Sequence, residues 1–248
     1  MKVIYLHQYF CTPSMSSGTR SYEMARRLVK KGHKVFMISS KHSHSEIKER
    51  NFSIEEGIHV WWLPVKYSNN MNFIQRIYSF IVYCIYAYII GRKLNYGLVL
   101  ASSTPLTVAI PGIFLSKIRK VPFILEVRDL WPAIPIELRI IRNVLLIKLS
   151  QYLERISYRL SDKIIALSYG MRDGIINTGI NKSKITVIPN GSDIELFNIN
   201  SKSDIGFINQ IDWINTDRDI IIYTGAIGKI NGLSYMAFMA EEMIKLNP

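Results

Sequence analysis

The sequence predicts an α/β protein whose core is a Rossmann-like, doubly wound parallel sheet, followed by the truncated start of a second domain of the same kind. Two observations predict it. Short apolar runs alternate along the chain with stretches long enough for crossover helices, the rhythm of a parallel sheet. The first such stretch also ends as helices do, with Lys30 and Lys31 in the last turn and Gly32 able to take a left-handed conformation.

The elements follow in order. VIYL (3–6) reads as the first strand and Arg20–Lys31 as the first helix; VFMIS (35–39) and HVWWL (59–63) are the next strands. Phe73–Leu94 predicts a long helix, LVLAS (98–102) a strand, Leu106–Arg119 a helix and PFILEV (122–127) a strand. KIIAL (163–167) and ITVIP (185–189) complete the series. The turn dipeptide Asn190-Gly191 follows, read as an interdomain turn without chemistry of its own. The polar stretch 198–219 reads as a linker, after which IIIYTGAIGKINGL restarts the pattern with a strand, a glycine-rich loop and a helix. The expected organisation is an N-terminal domain over 1–197, a linker over 198–219 and an incomplete second domain over 220–248.

Composition narrows the function classes. A chain of 248 residues with 48% hydrophobic residues and a mean hydropathy of +0.12 can bury a sizeable core. Its two cysteines, Cys11 and Cys84, are too few for a disulfide framework, and MKVIYLHQYF lacks the apolar core of a signal peptide, so a cytoplasmic location is expected. The net charge of +12 and pI near 9.6 point to anionic partners. No nucleic-acid motif accompanies that charge, which leaves anionic lipid and phosphorylated substrates and argues against nucleic acid. His7, His33, His42, His44 and His59 form no metal-ligand spacing, so no metal site is expected.

The stretch LEVRDLWPAIP (125–135) begins as a core strand and then presents Glu126, Arg128, Asp129 and Trp131 at the carboxyl end, where ligands collect in such sheets. The alternative is that Arg128 and Asp129 pair with each other or cap the next segment. The loop Cys11–Thr19 is too long for a dinucleotide fingerprint, which argues against a nicotinamide enzyme; no cofactor is expected.

Four stretches carry a family resemblance: HQYFCTPSMSSGTRSYEMARRLVKKGHKV (7–35), ASSTPLTVAIPGIFLSKIRKVPFILEVRDLWP (101–132), VIPNGSDIELF (187–197) and YTGAIGKINGL (223–233). With them the chain resembles the retaining glycosyltransferases of GT-B fold in the family-four group, and more narrowly the branch that adds N-acetylfucosamine-type sugars in bacterial capsule and O-antigen (lipopolysaccharide) synthesis. The resemblance implies an N-terminal acceptor-binding domain facing a C-terminal domain for the nucleotide-sugar donor. The family's donor-side Glu-x7-Glu motif does not occur, so a chain of these 248 residues is expected to be inactive alone.

Site residues follow from the same resemblance. Gly18 matches a glycine-rich loop whose backbone approaches the donor phosphate, with Ser16 and Ser17 where paired glycines are usual; the alternative is a plain helix cap by Ser17 or Thr19. Arg20 meets an acceptor phosphate or is a solvated surface arginine. Arg128 stands where relatives often carry histidine; it cannot act as a base, but it can hold an anion, with Asp129 orienting it. Glu126 accepts an acceptor hydroxyl or pairs with a neighbour, and Trp131 stacks on a sugar or covers the core; His7, at the end of the first strand, is expected to be a structural imidazole, the alternative being that it faces the cleft. In the second domain Gly225 and Gly228 belong to the phosphate loop, but Ala226 and Asn231 replace its usual arginine and lysine, leaving Lys229 and the backbone near Asn231 to bind diphosphate.

Phe73–Leu94 holds an apolar run (Phe80–Ile90) shorter than the ~20 residues of a spanning helix, which predicts a buried or interfacial helix. Residues 136–163 interleave Arg139, Arg142, Lys148, Arg155 and Arg159 with leucine and isoleucine, suiting an anionic membrane surface or, alternatively, a core helix with a solvated basic face. The expected function is transfer of a sugar from a UDP-linked N-acetylated deoxyhexose to a polyprenyl-diphosphate-linked saccharide at the inner face of the plasma membrane. The alternative is a non-catalytic acceptor-binding, membrane-recruiting half of a split transferase.

Overall fold

The computed structural model describes residues 1–15, 18–41, 51–66, 71–103, 105–192, 194, 221–225 and 231–246. These fall into two compact units, Met1–Gly191 and Ser192–Pro248.

The first unit is one sheet of eight strands: β1 (Lys2–Leu6), β2 (Lys34–Ser40), β3 (Phe52–Glu55), β4 (Ile58–Leu63), β5 (Leu98–Ser103), β6 (Phe123–Val127), β7 (Lys163–Ala166) and β8 (Ile185–Val187). Their order is β3-β4-β2-β1-β5-β6-β7-β8, and every pairing is parallel except β3 with β4. The chain leaves β1 for β2 on one side and later fills β5 on the other. This reversal opens a crevice beyond the carboxyl ends of β1 and β5, the place where doubly wound sheets bind ligands.

Alternation along the strands divides the core. Ile4, Leu6, Ile38, Val99, Ala101, Phe123 and Leu125 face one layer, formed by α2 (Phe73–Gly91), α3 (Ala109–Arg119) and α5 (Val144–Leu160). Val3, Tyr5, Val35, Met37 and Leu100 face the other, where Tyr22 and Ala25 of α1 (Arg20–Lys30) pack with Phe10 and Trp62. α1 stops as its sequence predicts, with Gly32 at φ 80°.

α2 begins at a capping box: Asn72 accepts from the Gln75 backbone N–H while the Gln75 side chain accepts from the Asn72 backbone. It is fastened to the sheet by the Tyr83 hydroxyl, which donates to the Ile38 carbonyl at 2.8 Å. Ile74–Gly91 is, among the described residues, the one helix long and apolar enough to cross a membrane. It lies on the sheet, burying Tyr83 and Ala87 while Ile74, Tyr78, Ile81, Ile85 and Ile89 are exposed at helical spacing.

Three expectations need revision. β3, not expected from the sequence, is the partner of β4 in a hairpin whose two-residue turn, Glu56-Gly57, has φ of 44° and 81°. The basic segment 136–163 is not one helix. It divides into the end of α4 (Ala133–Glu137) and α5, because Arg139 takes a left-handed φ of 54° and Asn143 caps a fresh start, accepting from the Leu145 and Leu146 N–H groups. α6 (Tyr169–Asn177) then leads to β8. In the second unit, residues 221–225 form no strand, since among the described residues no neighbouring strand takes up their backbone groups; α7 (Ser234–Leu246) is the helix expected after the glycine-rich loop. The linker 198–219 lies outside the described residues.

Candidate active site

The crevice at the switch point is lined from three strands and one helix start. β6 delivers Glu126 from its last turn of pleat, and Arg128 follows one residue past its end. Parallel registry sets Ser102 of β5 beside Glu126 and Ser103 beside Val127. β1 ends in Leu6, placing Tyr5 inside and His7 at the mouth, and α1 starts at Arg20 directly after Gly18 and Thr19.

Glu126 is wholly buried, and both its oxygens are occupied. Oε1 receives Arg20 Nε at 2.9 Å; Oε2 receives the Ser102 hydroxyl at 2.5 Å and the Tyr5 hydroxyl at 3.4 Å. Burial, and secondarily the Glu126 charge, push the Tyr5 phenol well above its usual range, so it stays protonated and donating. This revises the expectation of an acceptor-hydroxyl contact: no substrate reaches a carboxylate so enclosed, and Glu126 instead holds Arg20. Arg20 in turn is no surface arginine. Its Nη1 donates to the Pro189 carbonyl at 2.8 Å and to Asn190 Oδ1 at 3.1 Å, and its Nη2 donates to the Ile188 carbonyl at 2.8 Å. The guanidinium therefore ties α1 and β6 to the segment leaving β8, and Asn190, read from sequence as a turn only, belongs to that tie.

Arg128 is placed differently. Its backbone N–H donates to Ser103 Oγ at 3.2 Å, and its half-buried side chain turns toward β1, where Nη1 meets His7 Nε2 at 3.2 Å. Among the described residues its guanidinium bonds to His7 alone, so the fork keeps N–H donors for an anion. Gly18 lies alongside: a Cβ there would stand 3.6 Å from Arg128 Nη2. The sequence thus brings Gly18, Arg20, Glu126 and Arg128 together.

Asp129 is exposed just beyond them, and Trp131 is half-buried, packed against the core beneath α2, α3 and α5. That packing favours the core-covering reading of Trp131 over sugar stacking. Ser17, Gly228 and Lys229 lie outside the described residues, and Gly225 and Asn231 belong to the second unit. No group of three or more histidine, cysteine or carboxylate side chains able to hold a metal occurs among the described residues.

Sequence reasoning missed Tyr5, Ser102 and Ser21, and preferred a structural His7 to one that faces the cleft. Their only signal is position: each stands within two residues of a strand end or helix start that lines the crevice.

Residues 17–196 match the sequence profile of Glycosyltransferase Family 4. The chain belongs to glycosyltransferase family 4. No curated protein sequence matches it. Solved structures share its fold at low identity. A sucrose-phosphate synthase chain from Thermosynechococcus elongatus superposes with a TM-score of 0.56 at 10% identity, over 79% of this chain and 93% of that one. HepE from Anabaena, solved in complex with UDP-glucose, gives 0.53 at 17% identity, over 85% of this family-four chain and 49% of HepE. A longer chain of the same synthase gives 0.56 at 11% identity over 79% and 49%. The chain therefore spans about half the length of HepE and of the longer synthase.

Proposed function

We propose that this family-four chain is the acceptor-side part of a retaining hexosyltransferase. It moves a sugar, an N-acetylated deoxyhexose, from a UDP-sugar to a polyprenyl-diphosphate-linked saccharide in capsule or O-antigen synthesis. The observation that carries the reading is the Arg128 guanidinium, held at the switch point beside Gly18 with N–H donors directed to no other described residue. HepE, of the same fold, binds UDP-glucose, which supports a nucleotide-sugar donor.

In this reading Arg128 stabilises charge that develops on the diphosphate as the glycosidic bond breaks, and the departing phosphate oxygen takes the proton of the acceptor hydroxyl. No protein base is required, consistent with a Glu126 enclosed by its neighbours. Asp129 orients Arg128 or the sugar from the crevice rim. The donor's remaining contacts come from a second domain.

The polyprenyl acceptor requires a membrane, and the helix layer supports one. α2, α3 and α5 lie side by side. Their outer faces expose Ile81, Ile85, Phe114, Ile118, Leu145 and Leu149, with Lys117, Arg119, Lys148 and Arg155 exposed among them. Apolar groups framed by cations suit the interface of an anionic bilayer, which supports a peripheral position at the inner face of the plasma membrane as part of this proposal.

The test is sugar transfer by the full-length protein with a panel of UDP-N-acetylhexosamines and a polyprenyl-diphosphate monosaccharide. Arg128→Ala is expected to lower kcat by about 10²–10³, the usual loss when one donor to developing negative charge is removed. Transfer that ignores the substitution returns Arg128 to a structural role. Absence of transfer with every donor favours a non-catalytic, acceptor-binding half of a split enzyme.

A further inference from the structure

His7 is 1% exposed, yet it is a polar ring at the mouth of the crevice, and its two nitrogens are engaged by residues from different elements. Nδ1 lies 2.7 Å from the hydroxyl of Ser21, itself fully buried in the first turn of α1. Nε2 lies 3.2 Å from Arg128 Nη1. A guanidinium has no acceptor, so Nε2 must present a lone pair and Nδ1 must carry the proton, which it donates to Ser21 Oγ. We infer that His7 is a positioning residue for Arg128, held by Ser21 in the single tautomer that can receive the guanidinium. The inference rests on the reading of Arg128 as the phosphate-binding group.

An arginine just past a strand end is a long, flexible side chain whose ordering opposes ligand binding. His7 fixes it beforehand: the imidazole is anchored to the end of β1 and to α1, and Arg128 is tied through its backbone to Ser103 of β5. The guanidinium is therefore set between three elements before a ligand arrives. Ser21 acts one step further back, since a hydroxyl can accept from Nδ1–H where an apolar side chain would leave the tautomer unspecified.

Two measurements test this. Side-chain ¹⁵N NMR of the wild-type chain is expected to show His7 with a protonated Nδ1 and a bare Nε2; the opposite tautomer, or a doubly protonated ring at neutral pH, overturns the inference without any variant. The second is titration of inorganic pyrophosphate into wild type, Arg128→Ala, His7→Gln and His7→Asn. Glutamine carries Oε1 to the place of Nε2 and preserves the acceptor, whereas asparagine preserves only the contact toward Ser21. His7→Gln is expected to bind within about threefold of wild type, and His7→Asn about tenfold more weakly, the loss of one hydrogen bond that orients a charged group. Arg128→Ala should bind at least as weakly as His7→Asn. Equal affinities for the two His7 variants, with Arg128→Ala weakened, overturn the positioning role alone. Undiminished binding by Arg128→Ala, or no binding by wild type, overturns the reading of Arg128 itself.

Discussion

Arg20→Met is the substitution whose cost the structure defines best. The Arg20 side chain is 11% exposed and that of Glu126 not at all, with 2.9 Å between Nε and Oε1. Methionine keeps most of the stem packing and removes the guanidinium, leaving the buried Glu126 carboxyl with only the Ser102 and Tyr5 hydroxyls as donors. Breaking a buried pair costs about 3–5 kcal/mol, and the two remaining donors place this case near the lower end, at about 3 kcal/mol. The carbonyls of Ile188 and Pro189 lie nearer the surface and can turn to water, so they add little. Urea unfolding followed by circular dichroism reads the loss as a lower midpoint. Arg20→Met combined with Glu126→Gln removes the stranded charge and is expected to recover about half of the loss, so the coupling in the double-mutant cycle is at least about 1.5 kcal/mol, increased by whatever Glu126→Gln costs alone. A single-variant cost below about 1 kcal/mol, or strict additivity, would refute the claim that these charges compensate each other inside the fold.

Three further outcomes are expected. Gly112→Ala places a Cβ 2.7 Å from the ring of the fully buried Phe123; overpacking between α3 and β6 should outweigh the helix-propensity gain and cost about 1–2 kcal/mol, seen as a lower Tm in thermal melts. Ile81→Glu with Ile85→Glu, both exposed on α2, should abolish flotation with anionic liposomes at low salt while leaving the urea midpoint unchanged; flotation by the double variant removes α2 from the membrane reading. Burial holds the Glu154 carboxyl above its usual range, so the folded state keeps that proton longer than the unfolded chain and loses stability as pH rises out of the ordinary carboxylate range. Glu154→Gln, still an acceptor for Tyr158, should therefore flatten that decline, and an unchanged pH dependence of the unfolding midpoint contradicts it.

The inner parallel strands were legible because they are covered on both faces and so read as runs of apolar residues; KIIAL needs no tertiary knowledge to be placed. β3 was not, because Phe52 and Ile54 are exposed on an edge strand and its turn, Glu56-Gly57, lacks the asparagine or aspartate that usually marks a two-residue hairpin. The division of 136–163 escaped for a related reason. Leucine and arginine continue at helical spacing through a point where the backbone of Arg139 turns left-handed, and composition is blind to that reversal.

The site shows where sequence reading stops. That charges at the end of β6 line a crevice follows from topology alone, but their roles depend on partners more than a hundred residues away: Glu126 is satisfied by Arg20 and Tyr5, and Arg128 is held by His7. Nothing within EVRDLWP distinguishes the carboxylate that is enclosed from the guanidinium that is presented. The distinction arises from where the strand ends. Glu126 is the last-but-one residue of β6 and points into the layer shared with Tyr5 and Ser102, whereas Arg128 lies beyond the last paired residue, where the sheet no longer covers it. Glu126 and Arg128 are two residues apart and so share one side of the pleat; only a shift of two residues would carry Arg128 into the place of Glu126, so the identity of the anion-binding group is set by where the strand ends.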